Sequence, residues 1–286
     1  MTAILFGLGS AAFLGGGLVL TQFGLRTVHP LSGAAISVPT FTMVFLLLSP
    51  LLLRGQTIEW HAVPIFVAVG LVFPATLTML TFASNRALGP VVTGALGNLS
   101  PLLSVAVAVL VLHEPLRALQ FAGLVLAMLG VFAITVTRTP DMRDWRTWAL
   151  LLPLGASVVR GVIPPVIKVG LDIWPVPIAA GLTGYICSTL TVLAIERIRT
   201  GRFLVQAPLS GKLWFAANGL CNGTGTLLLY GALGNGPVSL VAPLYATYPL
   251  FTVGMSLLFL GNVRITWRLV AGTLATVGGV VLILTG

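Results

Sequence analysis

Charge is scarce in this sequence. Only 7% of its 286 residues are Asp, Glu, Lys or Arg, where a soluble domain carries roughly 25%. A chain so poor in charge cannot cover a water-facing surface. With 57% hydrophobic residues and a mean hydropathy of +1.06, its solvent is lipid. Acids are the scarcer sign, 6 against 15 Lys and Arg. None stands at the centre of an apolar run, since Glu114, Asp172 and Glu196 lie at the ends. That argues against coupling through a mid-membrane carboxylate. The 3 histidines, His29, His61 and His113, are scattered among different loops, and the 2 cysteines, Cys187 and Cys221, fall inside apolar runs at no metal-ligand spacing. No HExxH, Ser–His pair or paired carboxylates occurs, so no catalytic constellation, metal site or cofactor is expected. Long polar segments are missing too, the longest being Arg138–Arg146. This excludes a receptor or scaffold with a large extramembrane part. Nucleic acid is excluded as a partner, because the basic residues sit in short loops between apolar runs. They read instead as orientation signals and contacts to anionic membrane lipid.

What is present is a series of apolar runs about twenty residues long, with no period-2 alternation. In hydrocarbon the backbone must satisfy itself, so these runs are helices rather than barrel strands. The expected spans are 3–23, 31–53, 62–84, 91–112, 117–137, 147–168, 176–196, 212–231, 238–260 and 266–285. The first has no basic segment before it, so no cleavable signal peptide is expected. The expected fold class is an all-α membrane protein of ten transmembrane helices.

The two halves resemble each other. Leu8, Gly9, Gly15, Gly24 and Leu25 match Leu154, Gly155, Gly161, Gly170 and Leu171 at one offset. Ala87–Val91 matches Ala232–Val238 with a short insertion, Ser100-Pro101-Leu102 matches Tyr248-Pro249-Leu250, and Gly123, Gly130 and Val131 match Gly272, Gly279 and Val280. The expected organisation is a first five-helix repeat over 1–137, a linker over 138–146 and a second repeat over 147–286. An odd number of crossings inverts the second copy, and inverted repeats underlie many secondary transporters. Basic residues count eleven on the side of the loops after helices 1, 3, 5, 7 and 9, and three on the other (Arg54, Arg117 and Lys168). The count puts the basic side in the cytoplasm and both termini outside. Small residues every four positions (Gly7, Ala11, Gly15; Ala271, Ala275, Gly279) allow close helix approach, within a monomer or across a homodimer.

The pattern resembles the drug/metabolite transporter superfamily, in particular its ten-helix EamA-type carriers. The residues that carry the resemblance are Phe82 to Leu88 and Tyr230-Gly231-Ala232-Leu233, the mid-helix Pro101 and Pro249, and Leu112-His113-Glu114-Pro115-Leu116 followed by Gln120, Gly123 and Gly130-Val131. Gly261-Asn262-Val263 departs from the Glu the family often has there. The resemblance implies a multi-pass protein of the bacterial inner membrane and alternating-access export of a small metabolite. Amino acids lead the candidates, as in aromatic-amino-acid exporters of the YddG type. Multidrug facilitation is an alternative, and a channel or an integral-membrane enzyme are the rivals from other classes. Relatives are thought to keep both termini in the cytoplasm, opposite to the charge count.

The resemblance also implies a central cavity between helices 3, 4, 8 and 9, with help from 1 and 6. On the eighth span Asn218, Asn222, Thr226 and Tyr230 recur every four residues and share a face. Buried amides line a cavity or bond between helices. The ninth span offers Tyr245, Tyr248 and Thr252, with Pro249 freeing a carbonyl one turn earlier. The fourth offers Asn98, Ser100 and Pro101, and the third Pro74, Thr78, Thr81 and Asn85. Arg160 lies deep in the sixth span, before Pro164-Pro165. A charge there marks a functional site, its guanidinium forming a bidentate fork suited to a carboxylate, or else a structural arginine that binds helix-end carbonyls or snorkels to an interface. The expected substrate-binding residues are Arg160, Asn98, Thr78, Asn218, Asn222, Tyr245 and Tyr248.

Overall fold

The computed structural model describes residues 1–73, 76–77, 80, 84, 88, 96–135, 147–202, 205–259 and 267–286. Among these the chain is all-helical: α1 Thr2–Gly24, α2 Pro30–Leu52, α3 Val63–Val72, α4 Ser100–Leu110, α5 Ala118–Thr135, α6 Leu151–Ile173, α7 Pro177–Thr200, α8 Leu209–Asn235, α9 Val238–Tyr245, α10 Tyr248–Phe259 and α11 Trp267–Thr285. A 3-10 turn, Thr147–Leu150, leads into α6. Among the described residues, six segments are long and apolar enough to cross a membrane: Thr2–Gly24, Pro30–Leu51, Trp148–Ile173, Pro177–Thr200, Val238–Phe259 and Trp267–Thr285. Their outward side chains, among them Leu47, Leu190, Leu258 and Leu274, are exposed aliphatics. This is the surface lipid requires. Helix α8 is long enough to cross, but its amides and glycines make it less apolar. It is shielded instead by α1, α2, α6 and α7.

Local chemistry sets the ends. Pro30 and Pro177 open α2 and α7 at the position where a missing N–H costs nothing. His29 caps α2, its Nδ1 accepting from Leu31 N at 3.3 Å. Gly201 closes α7 with φ of 73°, and the Gly201 N–H returns to the Arg197 carbonyl at 2.8 Å. The sixth expected span is longer than its sequence estimate, running to Ile173, so Lys168 lies inside it and pairs with Asp172 at 3.0 Å. The ninth is one span by hydropathy but two helices, broken at Ala246-Thr247. Pro243 and Pro249 withhold N–H groups on both sides of that break.

Helices approach where glycine leaves room, and the closest approaches come in pairs. A β-carbon at Gly15 would stand 2.8 Å from the Tyr248 carbonyl and Phe251 Cβ; one at Gly161 would stand 2.9 Å from the Ser100 carbonyl and 2.7 Å from Leu103 Cβ. The Phe215 ring covers Gly24 as the Phe66 ring covers Gly170, at 2.7 and 2.6 Å from the same imagined atom. Helices α5 and α11 cross antiparallel, Gly123 against Gly279 and Gly130 against Gly272. The glycines at these equivalent contacts are ones the internal sequence matches relate: Gly15 with Gly161, Gly24 with Gly170, Gly123 with Gly272 and Gly130 with Gly279.

The two ends of the bundle differ. The main apolar core gathers Ala3, Phe66, Ile167, Trp174, Leu233 and Val238, from the start of α1, α3 and α9 and the end of α6 and α8. At the other end, near residues 25–29 and 205–208, the interior is a cavity.

Gly130→Val places a side chain where Thr276 Oγ1 already lies 2.4 Å from an added β-carbon. It is expected to destabilise the detergent-solubilised protein by about 1–3 kcal/mol, as overpacking does. Gly254→Ala, which meets nothing within 4 Å, is the control and should leave the melting temperature unchanged or raised.

Candidate functional site

The cavity has a volume of about 280 Å3, at the low end for small-molecule sites. It begins at mid-bundle and runs toward the end carrying residues 25–29, between the last turns of α1 and α7 and the first turns of α2 and α8. Thr21, Pro30, Val192 and Phe215 line its outer part, and Arg160, Tyr185, Tyr245 and Tyr248 its inner part. Among the described residues, Arg160 is the one charged side chain on its wall.

Arg160 projects from α6 one turn before Pro164, half-buried. Its Nη1 donates to the Tyr248 hydroxyl at 3.0 Å, and the guanidinium carbon lies 6.0 Å from the Tyr248 ring centre. No acid pairs with Arg160 among the described ion pairs. A neutral phenol occupies one donor and leaves the rest of the fork available to an anion. Tyr245 lies 6.3 Å from Tyr248, ring centre to ring centre. Arg160, Tyr245 and Tyr248 also line a second, smaller recess between α4, α6 and α9, together with Asn98 and Ser104. These three side chains therefore border both spaces.

The amides of α8 do two jobs. Ser37 Oγ donates to a carbonyl, that of Phe215 at 2.8 Å or Gly33 at 3.0 Å. Its oxygen therefore accepts from Asn218 Nδ2 at 3.2 Å, and Asn218 Oδ1 accepts from Asn222 Nδ2 at 2.6 Å. This relay ties α8 to α2 while Asn218 and Asn222 line the cavity. Thr226 joins the same wall and accepts from the Tyr185 hydroxyl at 3.2 Å. Tyr230 departs from the expected polar face. It is buried in the apolar core, because α7 crosses α8 at Gly184 and covers it.

Of the seven expected residues, the cavity brings together Arg160, Asn218, Asn222, Tyr245 and Tyr248, while Asn98 lies in the adjoining recess. Thr78 lies outside the described residues. Sequence reasoning missed Tyr185, whose ring packs on Phe41 and Phe45 at 5.5 and 5.4 Å between centres. It also missed Ser37 and Ser104, since small hydroxyls in apolar helices carry no periodic signal. A third omission is the cluster at the basic end. Glu196, 2% exposed, accepts from Ser32 Oγ at 2.8 Å and from Arg199 Nη2 at 2.7 Å, joining α2 to α7. The i,i+3 spacing of Glu196 and Arg199 was the available signal.

Glu114 has a role that its place in the sequence pattern did not show. His113 turns the chain at φ of 55°. The Glu114 carboxylate then accepts from the Val238 and Ser239 N–H groups, both at 2.7 Å. A carboxylate at a helix N-terminus satisfies orphan donors and the helix dipole together. It anchors the start of α9, the helix that ends in Tyr245.

Apolar helices long enough to span a bilayer, around an interior cavity that holds one cation and two amides on a largely apolar wall, fit a multi-pass membrane protein. A profile of the EamA-like transporter family matches residues 1–136 and 147–285. The chain therefore belongs to the EamA-like transporter family, within the drug/metabolite transporter superfamily, and is a membrane transporter of that type. No protein of curated function matches it. One crystal structure superposes with a TM-score of 0.81 over 99% of this chain and 98% of its own, at 20% identity. That likeness concerns the fold.

Glu114→Ala is expected to cost about 0.5–2 kcal/mol, the usual value of a lost cap, and Glu114→Gln less, since one acceptor is kept. Thermal unfolding of both variants checks the order.

Proposed function

We propose that the protein is an alternating-access carrier that exports small carboxylate-bearing metabolites, amino acids foremost, from a bacterial cell across its inner membrane. The observation that carries this is Arg160, a cation at the inner wall of a mid-bundle cavity, held by a phenol and facing no acid of the cavity wall among the described residues. A guanidinium in such a place is costly unless an anion visits it. The fork matches a carboxylate. Tyr185, Tyr245, Tyr248, Phe73 and Phe215 line the rest of the space and offer apolar faces to a side chain, an aromatic one included.

The architecture we propose is ten helices in two inverted five-helix repeats, over 1–137 and 147–286, joined by 138–146. The paired glycine contacts support it. An axis in the membrane plane that exchanges Gly15 with Gly161 and Gly24 with Gly170 also exchanges the partners of each. The two approaches in the α5–α11 crossing exchange with each other. Such a unit can rock between two arrangements about a fixed mid-membrane site. The apolar core closes one end while the cavity occupies the other, which favours a carrier over an open pore. The cavity end carries Arg26, Arg197, Arg199, Arg202 and Lys212. The positive-inside rule makes that end cytoplasmic, so this arrangement is the loading state of an exporter.

The test is uptake of labelled amino acids into proteoliposomes, with and without excess unlabelled substrate. Saturable, competed uptake is expected. Arg160→Ala is expected to lower it at least about tenfold at unchanged folded yield, in keeping with the loss of a charge-assisted pair. Arg160→Lys should restore only part, for want of the fork. Wild-type flux in Arg160→Ala would remove Arg160 from the site.

A further inference from the structure

We infer that the recess beside Arg160 is a subsite for the amino group of an α-amino acid, with the Ser104 hydroxyl as its side-chain ligand. This rests on the reading of Arg160 as the fork that holds the substrate carboxylate.

The recess is small, about 20 Å3. That is room for a single group the size of water. It adjoins Arg160, so a carboxylate in the fork brings its α-substituent to the recess and no more distant part of the substrate. The lining is rich in acceptors. Gly97, Arg160 and Tyr245 border it, and each stands four residues before a proline: Pro101, Pro164 and Pro249. None of those three carbonyls can receive the N–H bond an uninterrupted helix supplies. Arg160 lies inside α6, where Pro164 leaves its carbonyl without the helical donor, while Gly97 and Tyr245 stand just before the breaks that precede α4 and α10, where carbonyls lack a helical partner as well.

Ser104 supplies the second observation. Its side chain borders the recess and is 1% exposed, yet its Oγ has no hydrogen-bond partner among the described residues. The matched position in the second half behaves otherwise. Thr252 donates locally, its Oγ1 lying 3.0 Å from the Tyr248 carbonyl and 3.3 Å from the Gly15 carbonyl. Both hydroxyls occupy the same kind of helix crossing, at Gly161 and at Gly15. One is satisfied by its own scaffold and the other is left for something else. A buried hydroxyl without a partner is destabilising, so a ligand that satisfies it gains accordingly.

The chemistry selects the α-substituent. An ammonium brings three donors to hydroxyl and carbonyl acceptors. Its repulsion from Arg160 is offset by the carboxylate lying between them. A hydroxyl in the same place brings one donor, and a keto oxygen brings none and faces other oxygens. The recess therefore separates α-amino acids from α-hydroxy and α-keto acids of the same shape.

The experiment uses the full-length protein in proteoliposomes with labelled L-phenylalanine, L-phenyllactate and phenylpyruvate. The wild type is expected to carry phenylalanine with at least about tenfold higher efficiency than the other two, as sites built around a buried hydrogen bond discriminate. Ser104→Ala is expected to raise the phenylalanine KM about fivefold, the effect of one net hydrogen bond, with the maximal rate and the phenyllactate KM unchanged. Ser104→Cys, close in size and a poor hydrogen-bonding group, should move phenylalanine in the same direction. It provides the result if the alanine variant does not fold. Equal carriage of all three compounds by the wild type, or a Ser104 effect shared equally by them, overturns the amino subsite. If Arg160→Ala then still abolishes all three fluxes, the carboxylate reading stands without it. No saturable flux of any of the three in the wild type overturns both.

Discussion

Close helix approach through glycine is the constraint on which the cavity rests. Lipid offers no hydrophobic gain for pressing one apolar helix on another, so association comes from packing at short range. Here the backbones meet where a β-carbon would collide, at Gly15 on α10, Gly161 on α4, Gly219 on Ser37 of α2, and Gly123 and Gly130 on α11. Those contacts draw a ring of helices tight enough to exclude lipid. The polar helix α8 can then cross the membrane with Asn218 and Asn222 turned to the cavity and Leu213 and Leu220 turned outward. Without the ring, Asn218 and Asn222 would face hydrocarbon.

Within the ring, one end is filled and the other hollow. The filled end holds large side chains, Phe66, Ile167, Trp174 and Leu233, interleaved between α3, α6, α7 and α8. The hollow end is spanned by aromatic rings and short polar chains, and by the Glu196–Ser32–Arg199 cluster between α2 and α7. Arg160 and two tyrosines stand at the boundary. A charge at that level can be reached from the hollow side while the filled side insulates it. The alternating access we propose needs this asymmetry in each state, with the paired glycine contacts as the route for exchanging which end is filled.

Much of the fold was legible in the sequence. Apolar length reveals spans regardless of what they pack against, since each helix satisfies its own backbone. Proline and glycine stand at the ends of α2 and α7, a signal beyond apolar length that would have placed them more closely. The site was legible in part. Arg160 was visible because charge is rare, and Asn218 and Asn222 because amides four residues apart share a face. The same reasoning misplaced Tyr230, since a four-residue period also continues into a stretch covered by a neighbouring helix. Ser104, Ser37 and Tyr185 were not legible, because their importance depends on the partner each finds or lacks across the bundle.

The sequence by itself determined that this is a lipid-dwelling helical chain with related halves, one deep cation and no central acid. Each of those facts depends on composition or on separations along the chain. Only the tertiary structure decided that Arg160 meets Tyr248, that Glu114 caps a helix more than a hundred residues away, and that Ser104 lacks a partner where Thr252 has one. Those facts depend on which helices are neighbours and how each is turned about its axis. In lipid these are set by glycine contacts between distant segments rather than by any local preference of the chain.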